Sequence, residues 1–226
     1  MINNIKLDCV DSTNNYAKKN IAGITLPSLI IAESQTAGRG RQGKSFYSPD
    51  RTGIYMTLVF DAPESCDLLT AAAAVAVCLE LEALGAKPQI KWVNDVYLDG
   101  LKICGILAER FIHEGRKYIA LGIGINVTTE SFPHDIPNAG SLNINCDKDL
   151  LANNIAVRFF GLTDSERILT EYEKRLFVIG KTVTYIKNGT EYTATVKGIN
   201  SFCNLIVRRT DGCEDILSSG EISIKL

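Results

Sequence analysis

The hydrophobic and polar positions along the chain predict a mixed α+β protein. Helical patterns fall at residues 11–20, 67–84, 147–160 and 165–175, and strand-like runs fall at residues 29–33, 53–60, 89–93, 96–98, 103–111 and 117–127. Asp11 or Ser12 can cap the first helix. The second is rich in Ala and Leu on nearly every side, which is typical of a helix buried at the centre of a domain. Asp99-Gly100, between two of the strand runs, predicts a tight hairpin.

The composition changes after Gly180. Residues 181–226 contain four or five short runs rich in Val, Ile and Thr, separated by Asn-Gly, Asp-Gly and Ser-Gly turns. This pattern is typical of a small antiparallel barrel, which is too small to be stable alone and is expected to pack on a neighbour. The sequence therefore predicts two domains, residues 1–178 and residues 179–226.

Composition excludes several classes of function. The chain has 226 residues, 22% of them charged, and a formal net charge of −2, which argues against non-specific nucleic-acid binding. Its seven cysteines are irregularly spaced without a Cys-x-x-Cys pair, so neither a disulfide framework nor a zinc site is expected. The N-terminus has no apolar signal core, and the longest apolar run, residues 71–79, is too short to cross a bilayer. We therefore expect a cytoplasmic protein without a membrane partner.

Residues 34–49 form a glycine-rich basic loop without an acidic residue. Three cations alternate in it with three glycines: Arg39, Arg41, Lys44, Gly38, Gly40 and Gly43. A concentrated positive loop on a mildly acidic protein indicates a local anionic ligand. The glycines suggest that backbone amides and guanidinium groups converge on that anion.

The loop does not fit either of the common nucleotide-binding motifs. Residues 38–43 match Gly-x-Gly-x-x-Gly in spacing, but the dinucleotide fingerprint requires a helix to begin within the motif. The sequence that follows, Lys-Ser-Phe-Tyr-Ser-Pro, does not start a helix. The same missing helix, together with the two arginines, argues against a phosphate-binding P-loop.

Three further segments place polar groups or bare backbone at the ends of predicted strands. Asn94 and Asp95 suit a ribose, an amine or hydrated Mg²⁺, although a hydrogen-bonding turn explains them equally well. Lys102 can reach an anion from the sheet face, but alone it is most simply a solvent-facing lysine. Gly122 and Gly124 leave room for a ligand or another backbone, or else mark a bulge or a packing contact.

Taken together and in order, these segments resemble the biotin–protein ligases. The resemblance rests on Ser12-Thr13-Asn14, on the loop at residues 33–49, on Lys-Trp-x-Asn-Asp and Lys-x-x-Gly-Ile-Leu within residues 91–109, and on Gly-x-Gly-x-Asn at residues 122–126. Residues 218–223 also resemble the Gly-Glu-Ile-Ser ending of the family's C-terminal barrel. The resemblance implies a catalytic domain of the class II aminoacyl-tRNA synthetase-like, biotin–lipoyl ligase type, followed by an SH3-like barrel.

The family's reaction explains the charge of the loop. Biotin carboxylate attacks the α-phosphorus of ATP and gives biotinyl-5'-AMP and pyrophosphate, so the site must hold two anions together. By resemblance, the catalytic residues are Arg39, Lys102 and Asp95. The residues expected to bind biotin are Ser12, Thr13, Asn14, Gln35, Gly38, Arg39, Gly40, Arg41, Lys102 and Gly105. Those expected along ATP are Arg41, Lys44, Phe46, Asn94, Gly124 and Asn126, with Mg²⁺ held mainly by the phosphates.

In the family's second step, a lysine of a biotin carboxyl carrier protein attacks the adenylate and releases AMP. A free lysine is almost wholly protonated at neutral pH, and Asp95 is the candidate to deprotonate or orient it. The basic loop is expected to be mobile without ligand and to close over the adenylate. The chain begins at the catalytic domain, so DNA binding is not implied, and the family includes monomers and homodimers.

Four positions differ from the family pattern. Val93 stands in place of a frequent proline, Gln42 and Lys44 in place of frequent arginines, and Phe46 in place of a common tryptophan. None of these differences removes a catalytic group, but they can alter nucleotide affinity.

Two alternative functions remain open from the sequence. A lipoate or octanoate ligase of the same superfamily uses the same adenylate chemistry with a different acyl pocket. Gln35 and the context Lys91-Trp92…Asn94-Asp95 favour biotin over it. A biotin-sensing module without catalysis is the second alternative, against which Arg39, Arg41 and Lys102 argue.

Overall fold

Two β-sheets and four α-helices make up the described part of the chain, residues 1–218 and the backbone of residues 223–224 in the computed structural model. The helices are α1 (Thr13–Asn20), α2 (Leu69–Ala83), α3 (Lys148–Gly161) and α4 (Ser165–Arg175). All four predicted helices are present. Residues 219–222, which include part of the motif behind the C-terminal resemblance, lie outside the described residues.

The larger sheet has seven strands in the order β1-β2-β3-β7-β6-β5-β4. They are β1 (Asn3–Val10), β2 (Ser28–Gln35), β3 (Gly53–Asp61), β4 (Gln89–Lys91), β5 (Asp95–Leu98), β6 (Leu101–His113) and β7 (Arg116–Asn126). β1 and β2 are parallel, and the other neighbours are antiparallel. The predicted hairpin is confirmed, because Asp99 and Gly100 join β5 to β6 with φ angles of 51° and 81°.

The two faces of this sheet are covered by different helices. Ala17 of α1 packs with Ile30, Val59 and Ala120 on one face. α2 lies against the other face beside α3 and α4, and ten of its residues are buried. The prediction of a central buried helix is therefore confirmed. Within the described residues, every helix is too short or too polar to cross a bilayer.

The smaller sheet is antiparallel and has the order β11-β10-β9-β8-β12. Its strands are β8 (Thr182–Lys187), β9 (Thr190–Ile199), β10 (Leu205–Arg209), β11 (Glu214–Leu217) and β12 (Ser223–Ile224). Its buried apolar residues are continuous with the core of the larger sheet. The α+β class and the small C-terminal β module are thus as predicted. We propose that the boundary between residues 178 and 179 divides two domains that share one hydrophobic core.

Two side-chain hydrogen bonds connect the C-terminal part of the chain to the segment that precedes β5. The indole nitrogen of Trp92 donates to the carbonyl oxygen of Cys203 at 2.9 Å. The Tyr172 hydroxyl of α4 donates to the carbonyl oxygen of Val93 at 3.0 Å. The peptide bond between Trp92 and Val93 is cis.

Candidate active site

The basic loop folds as a tight hairpin. The Gly40 amide donates to the Lys44 carbonyl at 2.7 Å, and the Phe46 amide donates to the Gly38 carbonyl at 2.9 Å. A Cβ at position 38 would collide with the Phe46 carbonyl oxygen, so the hairpin closes only with glycine there. The expected mobility of this loop without ligand stays a prediction.

The hairpin directs Phe46 onto the bare backbone of β6 and β7. A Cβ on Gly124 would lie 2.5 Å from the Phe46 ring, and one on Gly105 would lie 3.3 Å from it. The missing side chains therefore create the groove that the ring occupies. Phe46 and Gly105 line both of the cavities in this region.

The first cavity is a small pocket beside the N-terminus of α1. Its volume is about 20 Å³, enough for about one water molecule. The predicted biotin-binding residues that line it are Ser12, Thr13, Asn14, Gln35, Arg39 and Gly105. Gly38, Gly40, Arg41 and Lys102 do not line it, whereas Gly124, predicted for ATP, does.

Hydrogen bonds fix the polar side of this pocket. The Thr13 backbone amide, at the start of α1, donates to Gln35 Oε1 at 2.9 Å. Gln35 Nε2 donates to Ser48 Oγ at 2.8 Å, and the Ser48 hydroxyl donates to the Phe46 carbonyl at 3.0 Å. Ser12 occupies the N-cap position but makes no side-chain cap bond. The N-terminus of α1 therefore lies beside the pocket, and Gln35 caps its first backbone amide.

Two polar residues behind the pocket were missed by the sequence analysis. Thr57 Oγ1 lies 2.6 Å from Asn14 Oδ1 and 2.8 Å from Thr13 Oγ1. Glu109 Oε2 accepts from Asn14 Nδ2 at 2.9 Å. Thr57 stands in an apolar strand without a motif around it, and the carboxylate of Glu109 is indistinguishable by sequence from a surface charge.

Glu109 is held in its charged form. Its carboxylate lies 2.7 Å from Lys18 Nζ and 3.3 Å from a guanidinium nitrogen of Arg39. Burial alone would raise the pKa of Glu109. The hydrogen bonds from Lys18 and Asn14 and the charges of Lys18 and Arg39 outweigh burial and hold that pKa below its usual value.

The second cavity is an open cleft of about 690 Å³ between the hairpin, β5 and the segment at residues 135–139. The predicted residues that line it are Arg39, Gly40, Arg41, Lys44, Phe46, Asn94, Asp95, Lys102, Gly105 and Asn126. The sequence analysis did not foresee its aromatic lining by Tyr47, Trp92, Tyr97 and Phe132. These rings come from separate loops and strands, so no local spacing reveals them.

Charged and amide side chains pair across this cleft. Lys102 Nζ lies 2.7 Å from Asp95 Oδ1. Arg41 donates to Asn94 Oδ1 at 3.3 Å, and Asn94 Nδ2 donates to the Ile106 carbonyl at 3.0 Å. The fold thus brings three separate sequence motifs together at one cleft.

Asn126 offers this cleft a buried acceptor. Its Nδ2 donates to the Gly140 carbonyl at 3.0 Å. Its Oδ1 is buried without a hydrogen-bond partner among the described residues. A buried acceptor in this state favours a ligand that brings an N–H group.

The family model that matches residues 7–126, more than half of the chain, is described as "Biotin/lipoate A/B protein ligase family". The chain belongs to the biotin/lipoate A/B protein ligase family. Residues 178–225 match the model of the "Biotin protein ligase C terminal domain". This second match places the chain among the biotin protein ligases of the family.

Individual members agree with this assignment. The chain is 29% identical to the bifunctional ligase/repressor BirA of Escherichia coli, over 97% of this chain and 73% of that protein. It is 38% identical to the biotin--[acetyl-CoA-carboxylase] ligase of Mycobacterium tuberculosis, over 50% of this chain and 44% of that one. The Aquifex aeolicus biotin protein ligase, solved with biotin and ATP, superposes with a TM-score of 0.82 at 24% identity, covering 99% of this chain and 98% of that one. This superposition confirms the predicted ligase fold.

The described residues contain no preformed metal site. No group of three or more His, Cys, Asp or Glu side chains is arranged to hold an ion. The carboxylates on the cleft wall are those of Asp95 and Asp135. This donor set fits a Mg²⁺ ion that arrives with a triphosphate and keeps several of its waters.

Proposed function

We propose that this family member activates biotin as biotinyl-5'-AMP and transfers it to a lysine of a biotin carboxyl carrier protein. The observation that carries the proposal is the meeting of two unlike cavities at Arg39, Phe46 and Gly105. One is small and lined by hydrogen-bonding groups; the other is large, cationic and aromatic. An acid that displaces the Phe46 ring beside the first cavity and a nucleotide bound in the second would meet where the cations lie.

In the first step, the protein's cations offset the repulsion between the biotin carboxylate and the α-phosphate. Lys102 and Arg41 are now paired with Asp95 and Asn94, and both can turn to the anions without leaving the cleft. Charge develops on the α-phosphate in the transition state, so these groups stabilise it more than the ground state. Mg²⁺, when bound with ATP, would neutralise charge on the leaving pyrophosphate.

In the second step, the carrier lysine attacks the adenylate and AMP leaves. Once Lys102 turns to the anions, Asp95 is released to accept a hydrogen bond from the incoming amine. The seven thiols are free in the structure, and this supports the proposal that the enzyme works in the reducing cytoplasm.

The direct test is the mass of an acceptor carrier domain incubated with the protein, biotin, ATP and Mg²⁺. We expect one biotinyl group to be added to one lysine. Lys102→Met is expected to slow this reaction on the order of a hundredfold, as for loss of one transition-state donor. Pyrophosphate exchange with lipoate or octanoate but not with biotin would contradict the proposal, and so would absence of AMP formation with all three acids.

A further inference from the structure

The guanidinium group of Arg39 is held at both of its terminal nitrogens. One donates to Asn15 Oδ1 of α1 at 3.2 Å, and the other lies 3.3 Å from Glu109 Oε1 of β6. Arg39 lines both cavities of the site, whereas neither Asn15 nor Glu109 is among the described residues that line them. The two acceptors therefore hold the guanidinium from outside the cavities, and its remaining N–H groups stay available to ligands.

A neighbouring carboxylate fixes the orientation of the Asn15 amide. Asn15 Nδ2 donates to Asp11 Oδ2 at 3.0 Å. Hydrogen bonds from Asn15 and Lys19 hold the pKa of Asp11 below its usual value. Because an ionised carboxylate only accepts hydrogen bonds, the amide nitrogen of Asn15 must face Asp11 and its oxygen must face Arg39.

Glu109 is fixed by other contacts and does not cancel the charge of Arg39. Its Oε2 accepts from Asn14 Nδ2 at 2.9 Å, and its Oε1 lies 2.7 Å from Lys18 Nζ. One carboxylate thus faces two cations, Lys18 and Arg39, and the group of three side chains stays positively charged. The contact orients Arg39 and leaves a positive potential at the site.

Arg39 differs in this respect from the other paired cations of the cleft. Lys102 is paired with Asp95, which itself lines the cleft. Arg41 is likewise paired with Asn94. These two cations must leave their partners to meet a ligand, whereas Arg39 can meet one without leaving its own. A donor that is already oriented toward developing charge needs no reorganisation during the reaction.

We propose that Glu109 and Asn15 are positioning residues that hold Arg39 where the two cavities meet, so that it stabilises the charge that develops as the biotin carboxylate attacks the α-phosphate. This inference rests on the proposed function and adds two residues that act on it through Arg39. The side chain of Arg39 is 48% exposed, and ion pairs open to solvent add little to stability. We therefore expect the contribution of the pair in kinetics and not in the free energy of unfolding.

The test is a double-mutant cycle on biotin-dependent pyrophosphate exchange. Glu109→Gln keeps the size of the side chain and removes its charge, so the guanidinium is no longer held in one orientation. We expect kcat for exchange to fall about tenfold, within the range of coupling between residues in contact. KM for biotin should change little, because the interaction is made in the transition state. In an Arg39→Met background, Glu109→Gln should change kcat by less than about twofold.

Two further variants separate positioning from other effects. Asn15→Ala removes the second acceptor and should also lower kcat only when Arg39 is present, so it provides the test if Glu109→Gln does not fold. Glu214→Gln disrupts a pair with Arg208 in the small sheet. This control should leave kcat unchanged in both backgrounds.

Each outcome supports or overturns the inference. A fall in kcat that requires Arg39, in Glu109→Gln or in Asn15→Ala, supports it. An equal fall with and without Arg39 overturns it, because Glu109 would then act through Asn14 or through packing. An unchanged kcat in both variants also overturns it, while exchange by the unmodified protein leaves the proposed function intact. Absence of biotin-dependent exchange by the unmodified protein would overturn both.

Discussion

At the scale of single residues, the pairing of Asp95 with Lys102 would let one carboxylate serve at both stages of the proposed reaction. Without ligand, Lys102 Nζ and Asp95 Oδ1 lie 2.7 Å apart, so the carboxylate holds the ammonium group of Lys102 beside the cleft. Two anions in the cleft would attract the ammonium group of Lys102 and leave Asp95 to the amine of the carrier. The two proposed roles of Asp95 would follow one another in time and therefore would not conflict.

Asp95→Asn should accordingly slow the second step more than the first. We expect transfer from preformed adenylate to the carrier to fall on the order of a hundredfold, as for loss of a general base, while pyrophosphate exchange changes much less. Single-turnover transfer and pyrophosphate exchange measure the two steps separately. Asp61→Asn, which disrupts a surface pair with Arg116, is the matched control. Equal slowing of both steps would rule out the separate role of Asp95.

At the scale of elements, the basic hairpin depends on close backbone approach at Gly38. The position of the hairpin determines the direction of the Phe46, Arg39 and Arg41 side chains. Most of residues 39–45 are exposed to solvent. The hairpin can therefore be disturbed without damage to the core.

Gly38→Ala should force the hairpin open, because the added Cβ meets the Phe46 carbonyl and Ser48 Oγ. We expect at least about a tenfold loss of kcat/KM for biotin, since small misplacements of positioning groups are costly, with little change in the free energy of unfolding. Gly23→Ala is the control, because a Cβ there meets nothing within 4 Å. Steady-state kinetics and chemical denaturation measure both effects. A Gly38→Ala variant as active as Gly23→Ala would show that hairpin closure is not required.

Elements and motifs differ in how far the sequence can predict them. The buried helix α2 and the β5–β6 hairpin were predictable because strong local signals, a helix that is apolar on nearly every side and an Asp-Gly turn, agree with their tertiary environment. Strand β1 was not predicted, since it lies at the sheet edge, is mostly exposed and owes its place to pairing with β2. Thr57 and Glu109 were missed because their partners are distant in sequence.

At the scale of the whole molecule, α4 and the loop between β9 and β10 support the side of the cleft where we propose that the nucleotide binds. The Trp92 indole is bonded to Cys203, and the Tyr172 hydroxyl to Val93, immediately before Asn94. Two hydrogen bonds from residues distant in sequence, Tyr172 and Cys203, thus hold the segment that leads into β5.

Tyr172→Phe removes one of these supports without changing the shape of the side chain. We expect the KM for ATP to rise about fivefold, the equivalent of one hydrogen bond, while the KM for biotin is unchanged because its pocket lies on the α1 side. Tyr185→Phe, which removes a bond to Asp215 within the small sheet, is the control. Steady-state kinetics with each substrate varied in turn distinguish the outcomes. Parallel changes in both KM values would indicate a general loss of structure.

The resting position of Phe46 has a consequence for inhibitor discovery. The ring leaves the small pocket with room for about one water molecule. Docking of compounds into this rigid conformation would therefore reject any compound the size of biotin. A compound that displaces the ring and lies flat on Gly105 and Gly124 would gain the apolar contact that Phe46 now makes. Screening libraries against this enzyme should therefore favour flat, apolar groups joined to a hydrogen-bonding head.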